Sequence, residues 1–117
     1  MKVAIVILAG LDNHDAMARV VNALEAANEC KQAGDTVKML FDGAGTETLA
    51  KISDPKHQLY PLFEAVADTV HGACSFCSRA FGVWTTVKER AIPLLDEYHE
   101  HPSLRKLLYE KYQVLTF

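Results

Sequence analysis

The sequence lacks any long hydrophobic run. Its most continuous apolar stretch, Val3–Ala9, is seven residues long, whereas a helix that crosses a bilayer needs about 20 such residues. One Lys precedes the stretch, but no processing site that fits a signal peptide follows it. We therefore expect no membrane segment and a cytoplasmic location, where cysteines stay reduced and a structural disulfide is not favoured.

Basic residues are scarce as well. Twelve Lys and Arg face fifteen Asp and Glu, which gives a net charge of −3, and the positive residues are scattered along the chain. Proteins that bind nucleic acid need a clustered basic surface, so the composition argues against that partner. Low-complexity segments and internal repeats are absent too. The pattern predicts one domain over residues 1–117 that needs neither a disulfide nor a metal to fold.

The apolar pattern alternates between strands and helices. Val3–Ala9 is continuous and rich in β-branched residues, which predicts a strand buried on both faces of a parallel sheet. A helix follows, with N-cap oxygens at Asp12 and Asn13 and a stop at Gly34. Four more strands are expected, at Thr36–Phe41, Asp68–Ala73, Ile92–Leu95 (an edge strand, because it contains a proline) and Gln113–Phe117. The expected fold class is therefore α/β: a single-domain open parallel sheet of about five strands with helices on both faces.

The remaining helices are less regular. Short helices are expected at about Thr46–Ile52 and Leu59–Ala67, and a last one begins with Pro102 at its first turn. From Ser75 to Arg90 the pattern is helical, but Gly82 weakens its middle. One helix or two shorter helices with a kink fit this segment.

Cys74 and Cys77 stand where the third strand gives way to a helix. Ligands of open α/β sheets bind at the carboxyl ends of the strands, and a helix start lowers the pKa of a thiol. The pair is therefore the candidate reactive centre. The alternative is that both are small buried core residues, as free cysteines often are. Cys30, late in the first helix, is interpreted as structural.

The segment Ala73–Gly82 resembles the cysteine motif of the DsrE/DsrF-like family, which includes the sulfur-relay proteins of the TusBCD type. The strand Lys2–Ala9, the turn Phe41–Gly45 and the closing segment Tyr112–Phe117 resemble that family as well. The resemblance extends over essentially the whole chain.

This resemblance implies a YchN-like sheet, of the flavodoxin-like three-layer kind, assembled as a homotrimer or as a hexamer. It also implies a sulfurtransferase-like sulfur carrier that exchanges sulfur with donor and acceptor proteins. Cys74 matches the family's persulfide-accepting cysteine, since Gly82 follows it by eight residues, and Cys77 would be an auxiliary thiol. Two alternatives stay open: a dithiol redox protein, and a non-catalytic small-molecule binding or scaffold oligomer.

Two histidines later in the chain could bind a metal ion together with the cysteine pair. His99 and His101 with Cys74 and Cys77 would give the ligand types of a structural zinc, but their spacing is not that of a zinc finger. We therefore predict no metal and no cofactor. The segment Gly43–Gly45 lacks the further residues of a phosphate loop and is predicted to be a turn.

Four large apolar residues follow the cysteine pair closely, and a single helix cannot turn all of them onto one face. An apolar patch left at the surface favours a partner subunit as its cover, in agreement with a closed oligomer. These residues are Phe76, Phe81, Val83 and Trp84.

Overall fold

Five strands form one parallel sheet in the computed structural model, which describes residues 1–117. Their order across the sheet is β4-β3-β2-β1-β5, and every neighbouring pair runs parallel. The predicted fold class is confirmed. The strands are β1 (Lys2–Ile7), β2 (Thr36–Phe41), β3 (Val70–Cys74), β4 (Leu94–Leu95) and β5 (Gln113–Thr116).

Six α-helices and one short 3-10 helix connect the strands. None of the helices is long and apolar enough to cross a membrane. The helices are α1 (His14–Gln32), α2 (Gly45–Ile52), α3 (Tyr60–Glu64), α4 (Ser75–Ala80), α5 (Trp84–Glu89) and α6 (Leu104–Tyr109), and the 3-10 helix is Ala67–Thr69.

The opening β1-α1-β2 unit forms as its sequence predicts. All residues of β1 after Lys2 are buried, because the strand pairs on both sides and both of its faces are covered. Helix α1 begins with the side chain of Asn13, which accepts the backbone N–H of Ala16 at 2.8 Å. The helix is followed by Gly34 at a φ of 86°, the left-handed conformation that glycine adopts readily.

The two faces of the sheet are covered unequally. The face beneath α1, α2, α3 and α5 holds a core of 15 buried residues, and the opposite face holds a core of 6. Strands β1 to β4 follow one another in a single direction across the sheet, so their right-handed connections lie on one side. The connection from β4 to β5 returns across the whole sheet and places α6 alone on the other side.

The structure decides between two open alternatives for one segment and differs in detail from two other local predictions. The segment from Ser75 to Arg90 forms two helices, because Gly82 takes a φ of 71° and interrupts the helical backbone. The fourth strand lies at the sheet edge as predicted, but it begins after Pro93 and is only two residues long. Pro102 precedes the last helix rather than opening it, since Ser103 is the N-cap residue.

Candidate functional site

The candidate site lies at the carboxyl end of the sheet. Strands β2 and β3 are neighbours, with Phe41 opposite Ala73. Asp42, directly after β2, and Cys74, the last residue of β3, therefore lie side by side. Cys77 lies one helical turn further, in α4. His101 arrives from the segment between β4 and α6. Three separate parts of the chain therefore meet at one edge, where ligands of open α/β sheets bind.

Four side chains form a tight cluster there. One ligand atom each from Asp42, Cys74, Cys77 and His101 lies within 4.8 Å of all the others. The Cys74 Sγ is 3.1 Å from Nδ1 of His101, and the Cys77 thiol donates to Oδ1 of Asp42 at 3.3 Å. The backbone N–H of Cys77 donates to the Cys74 Sγ at 3.3 Å. Each thiol thus has its own side-chain hydrogen-bonding partner.

A tight turn holds His101 over Cys74. Tyr98 and His101 exchange two backbone hydrogen bonds, of 2.9 and 2.8 Å. Between them, His99 and Glu100 adopt left-handed φ values of 47° and 66°. The backbone N–H of Phe76 donates to the Glu100 carbonyl at 2.9 Å, and the Phe76 ring packs on the His101 ring with centroids 4.9 Å apart. The imidazole is therefore oriented by packing as well as by the turn.

The turn after β2 fixes the carboxylate. The backbone N–H of Gly43 donates to Oδ1 of Asp42 at 2.8 Å, and Gly43 has a φ of 53°. Helix α2 begins at Gly45, which confirms the predicted turn at Gly43–Gly45. The backbone N–H of Gly43 thereby holds the Asp42 carboxylate beside Cys77.

Burial dominates the electrostatics of the two thiols. It raises the pKa of Cys74 to about 12, and the N–H of Cys77 only partly opposes this effect. Burial also raises the pKa of Cys77, and the carboxylate of Asp42 adds to the rise. The helix start therefore lowers the pKa of Cys74 as expected, but burial outweighs this effect and the net pKa is raised. Both thiols are protonated at neutral pH until a base removes the proton or a cation replaces it.

Comparison with known proteins identifies a relative at the level of sequence. No protein-family model matches the chain. The uncharacterized protein MJ0733 of Methanocaldococcus jannaschii is 30% identical over 116 residues, which cover 98% of this chain and 94% of that protein. The chain belongs to the family of MJ0733.

A solved structure supports the fold of this MJ0733 family. The protein of unknown function BT1422 from Bacteroides thetaiotaomicron superposes with a TM-score of 0.65 at 18% sequence identity. The match covers 97% of this chain and 94% of the BT1422 chain. At this identity the likeness concerns the fold alone, so the function has to be argued from the site.

The two cysteines of this MJ0733-family chain differ in exposure. Cys74 is 0% exposed, whereas Cys77 is partly exposed. None of the four surface cavities is lined by either residue. The two sulfurs and their polar neighbours instead lie within 4.8 Å of one another.

The structure brings together both predicted cysteines and separates other candidates from them. His99 packs against the ring of Tyr98, with centroids 4.3 Å apart, and does not join the cluster. Cys30 lies in α1, partly buried against the main core, in agreement with a structural role.

Asp42 is the site residue that sequence reasoning missed. It directly follows the second predicted strand, and its neighbour strand ends at Cys74. In a parallel sheet these two ends lie at the same edge, so the position of Asp42 was an available signal.

Proposed function

We propose that this protein handles sulfane sulfur on the Cys74–Cys77 pair. The observation that carries the proposal is the pairing of two thiols, one partly exposed and one fully buried, each in contact with a group that can take its proton. The resemblance of Ala73–Gly82 to sulfur-carrier motifs supports the same function.

Sulfur enters at Cys77, because this residue is partly exposed whereas Cys74 is fully buried. The Cys77 sulfur attacks the outer sulfur of a persulfide donor, R–S–SH, while the S–H proton passes to the carboxylate of Asp42. The donor's S–S bond breaks, and R–S⁻ leaves and recovers a proton. The net reaction converts Cys77–SH and R–S–SH into Cys77–S–SH and R–SH.

The sulfur then moves to Cys74. With its own proton on Nε2, His101 accepts the Cys74 proton at Nδ1, 3.1 Å away. The resulting thiolate is stabilised by the N–H of Cys77 and attacks the outer sulfur of the Cys77 persulfide. The Cys77 sulfur leaves as a thiolate and takes up the proton that His101 accepted, so the imidazole is neutral again. The product is Cys74–S–SH, buried beneath the turn that carries His101 and shielded from competing thiols.

Intact-protein mass spectrometry tests this function. Reduced protein exposed to inorganic polysulfide is expected to gain about 32 Da per sulfur accepted. Peptide mapping should place the sulfur on Cys74 at equilibrium. We expect Cys77→Ser to load at least about tenfold more slowly, because the variant lacks the one cysteine of the pair that is partly exposed. Cys74→Ser should load at Cys77 and lose its sulfur to added thiol faster than the wild type.

The third cysteine provides the matched control. Cys30→Ser should load as the wild type does, since Cys30 lies outside the cluster. No mass gain in the reduced wild type would overturn the proposal and favour a binding or scaffold role. A loss of about 2 Da with no persulfide would assign the pair to dithiol redox chemistry instead.

We also propose that the chain forms a closed homo-oligomer, a trimer or a hexamer, through the apolar residues beside the site. Phe76 and Phe81 are 48% and 41% exposed; Phe76 lies in the first turn of α4, and Phe81 directly follows the helix. A second copy would cover these rings and enclose the thiols further.

Light scattering tests the assembly. Phe81→Asp is expected to lower the measured mass to that of one chain without unfolding it, since the side chain is solvent-accessible in the single chain. Leu108→Asp, an equally drastic change at an exposed residue of α6, should keep the wild-type mass. A wild-type monomer would rule out the oligomer.

A further inference from the structure

We propose that Asp42, Cys74, Cys77 and His101 form a binding site for a divalent metal ion of the zinc type. The inference does not depend on sulfur transfer. It rests on four potential ligands from three segments of the chain whose donor atoms all lie within 4.8 Å of one another.

The spacing fits a tetrahedral ion after a small contraction. Zinc bonds of about 2.0 to 2.3 Å place tetrahedral ligand atoms roughly 3.2 to 3.8 Å apart. The sulfur of Cys74 is 3.1 Å from His101, and the sulfur of Cys77 is 3.3 Å from Asp42. Against the outer limit of 4.8 Å, the widest pair has to close by at most about 1.0 to 1.6 Å, depending on the two ligand types.

The ligand types select the class of ion. Two sulfurs and an imidazole are soft or borderline donors that favour zinc and related transition metals, whereas magnesium and calcium prefer sites built from oxygen alone. The carboxylate of Asp42 completes four ligands with no need for a further donor. A site closed by four protein ligands is typical of a structural zinc.

Groups around the cluster already orient its ligands. The N–H of Cys77 donates to the Cys74 sulfur, and the N–H of Gly43 donates to the Asp42 carboxylate. The ring of Phe76 packs on His101. Hydrogen bonds to ligating atoms and packing against ligating rings are the features that hold metal ligands in place.

This inference replaces the prediction of a metal-free protein, which considered His99 together with His101. The fold separates His99 from the cysteines and supplies Asp42 instead. A bound ion would join the end of β2, the start of α4 and the Tyr98–His101 turn. It would also hold both sulfurs as thiolates bound to metal, so metal and sulfane sulfur would compete for the same pair.

Cobalt titration tests the site directly. Reduced protein stripped of metal is titrated with Co²⁺, and we expect thiolate-to-cobalt charge-transfer absorption and tetrahedral ligand-field bands that saturate at one ion per chain. Added Zn²⁺ should displace the cobalt and abolish both signals. Zinc should also raise the midpoint of thermal unfolding, because an ion that binds only the folded chain stabilises it.

Matched variants locate the ion. His101→Ala is expected to weaken zinc binding at least about tenfold, while His99→Ala, on the same turn, stays within about twofold of wild type. Cys77→Ser should lose the thiolate signal in part, and Cys30→Ser should retain it in full. Asp42→Asn, which keeps the size of the side chain, should weaken binding as well.

Two results would overturn the proposal. One is the absence of thiolate-to-cobalt absorption in the folded, reduced wild type. The other is zinc affinity that is unchanged in both Cys77→Ser and His101→Ala, with circular dichroism confirming that the variants are folded. Neither readout involves sulfane sulfur, so a failure of metal binding and a failure of sulfur loading are distinguished.

Discussion

Replacing Gly45 by alanine is expected to lower the free energy of unfolding by more than about 4 kcal/mol, a large share of the roughly 5 to 15 kcal/mol that keeps a protein folded. The added Cβ would lie 1.9 Å from the carbonyl oxygen of Ile7 and 2.7 Å from the carbonyl carbon. Both atoms belong to the backbone of β1, an interior strand that pairs on both sides. Helix α2 would have to move away from the sheet, and Asp42, just before it, would move too.

Urea denaturation followed by circular dichroism measures this effect. Gly10→Ala is the matched control, because the nearest atom to its added Cβ is the Asp12 side chain at 3.5 Å, an ordinary contact. We expect Gly10→Ala to unfold within about 1 kcal/mol of wild type. A Gly45→Ala chain as stable as Gly10→Ala would mean that the contact between α2 and β1 is looser than described.

Replacing Leu107 by alanine is expected to cost about 2 to 5 kcal/mol, the usual range for removing a buried leucine. Leu107 is 4% exposed and is the residue of α6 that enters the smaller core. That core has six buried members and no second helix to support it. The loss should therefore fall on α6 and the sheet face beneath it, while the larger core keeps its packing.

The neighbouring leucine isolates the effect of burial. Leu108 is 59% exposed, so Leu108→Ala should change the free energy of unfolding by no more than about 0.5 kcal/mol. Hydrogen exchange should show faster exchange in α6 for Leu107→Ala and little change in α1. Equal stabilities for the two variants would show that α6 contributes little to holding the sheet.

Much of the fold follows from local patterns in the sequence. The apolar run from Val3 has no polar positions, which predicts an interior strand with both faces buried, and β1 has this burial. The residues from Thr36 to Phe41 form a strand with the predicted bounds. The break at Gly82 could be expected from its weak helix propensity, but choosing one helix or two needed the tertiary structure. The unequal cover of the two faces depends on strand order, which no local pattern contains.

The candidate site was predictable only in part, since its residues are far apart in the chain. Cys74 and Cys77 share a local motif that marks them directly. Asp42 and His101 join them only when β2 pairs with β3 and the Tyr98–His101 turn folds over Cys74. The rise in the pKa of Cys74 was likewise hidden, because burial depends on packing from all sides, whereas the helix start that would lower it is visible in the sequence.

The order of the strands has a consequence for the synthesis of the chain. Strand β1 is made before the other four strands, yet one of its hydrogen-bonding edges is completed only by β5, which pairs with residues Val3 to Val6. Until residues 113–116 leave the ribosome, the most apolar strand of the molecule keeps an open edge, the kind of surface that pairs with other nascent chains. Chaperone occupancy at β1 should therefore persist while the other strands are made and end when β5 docks.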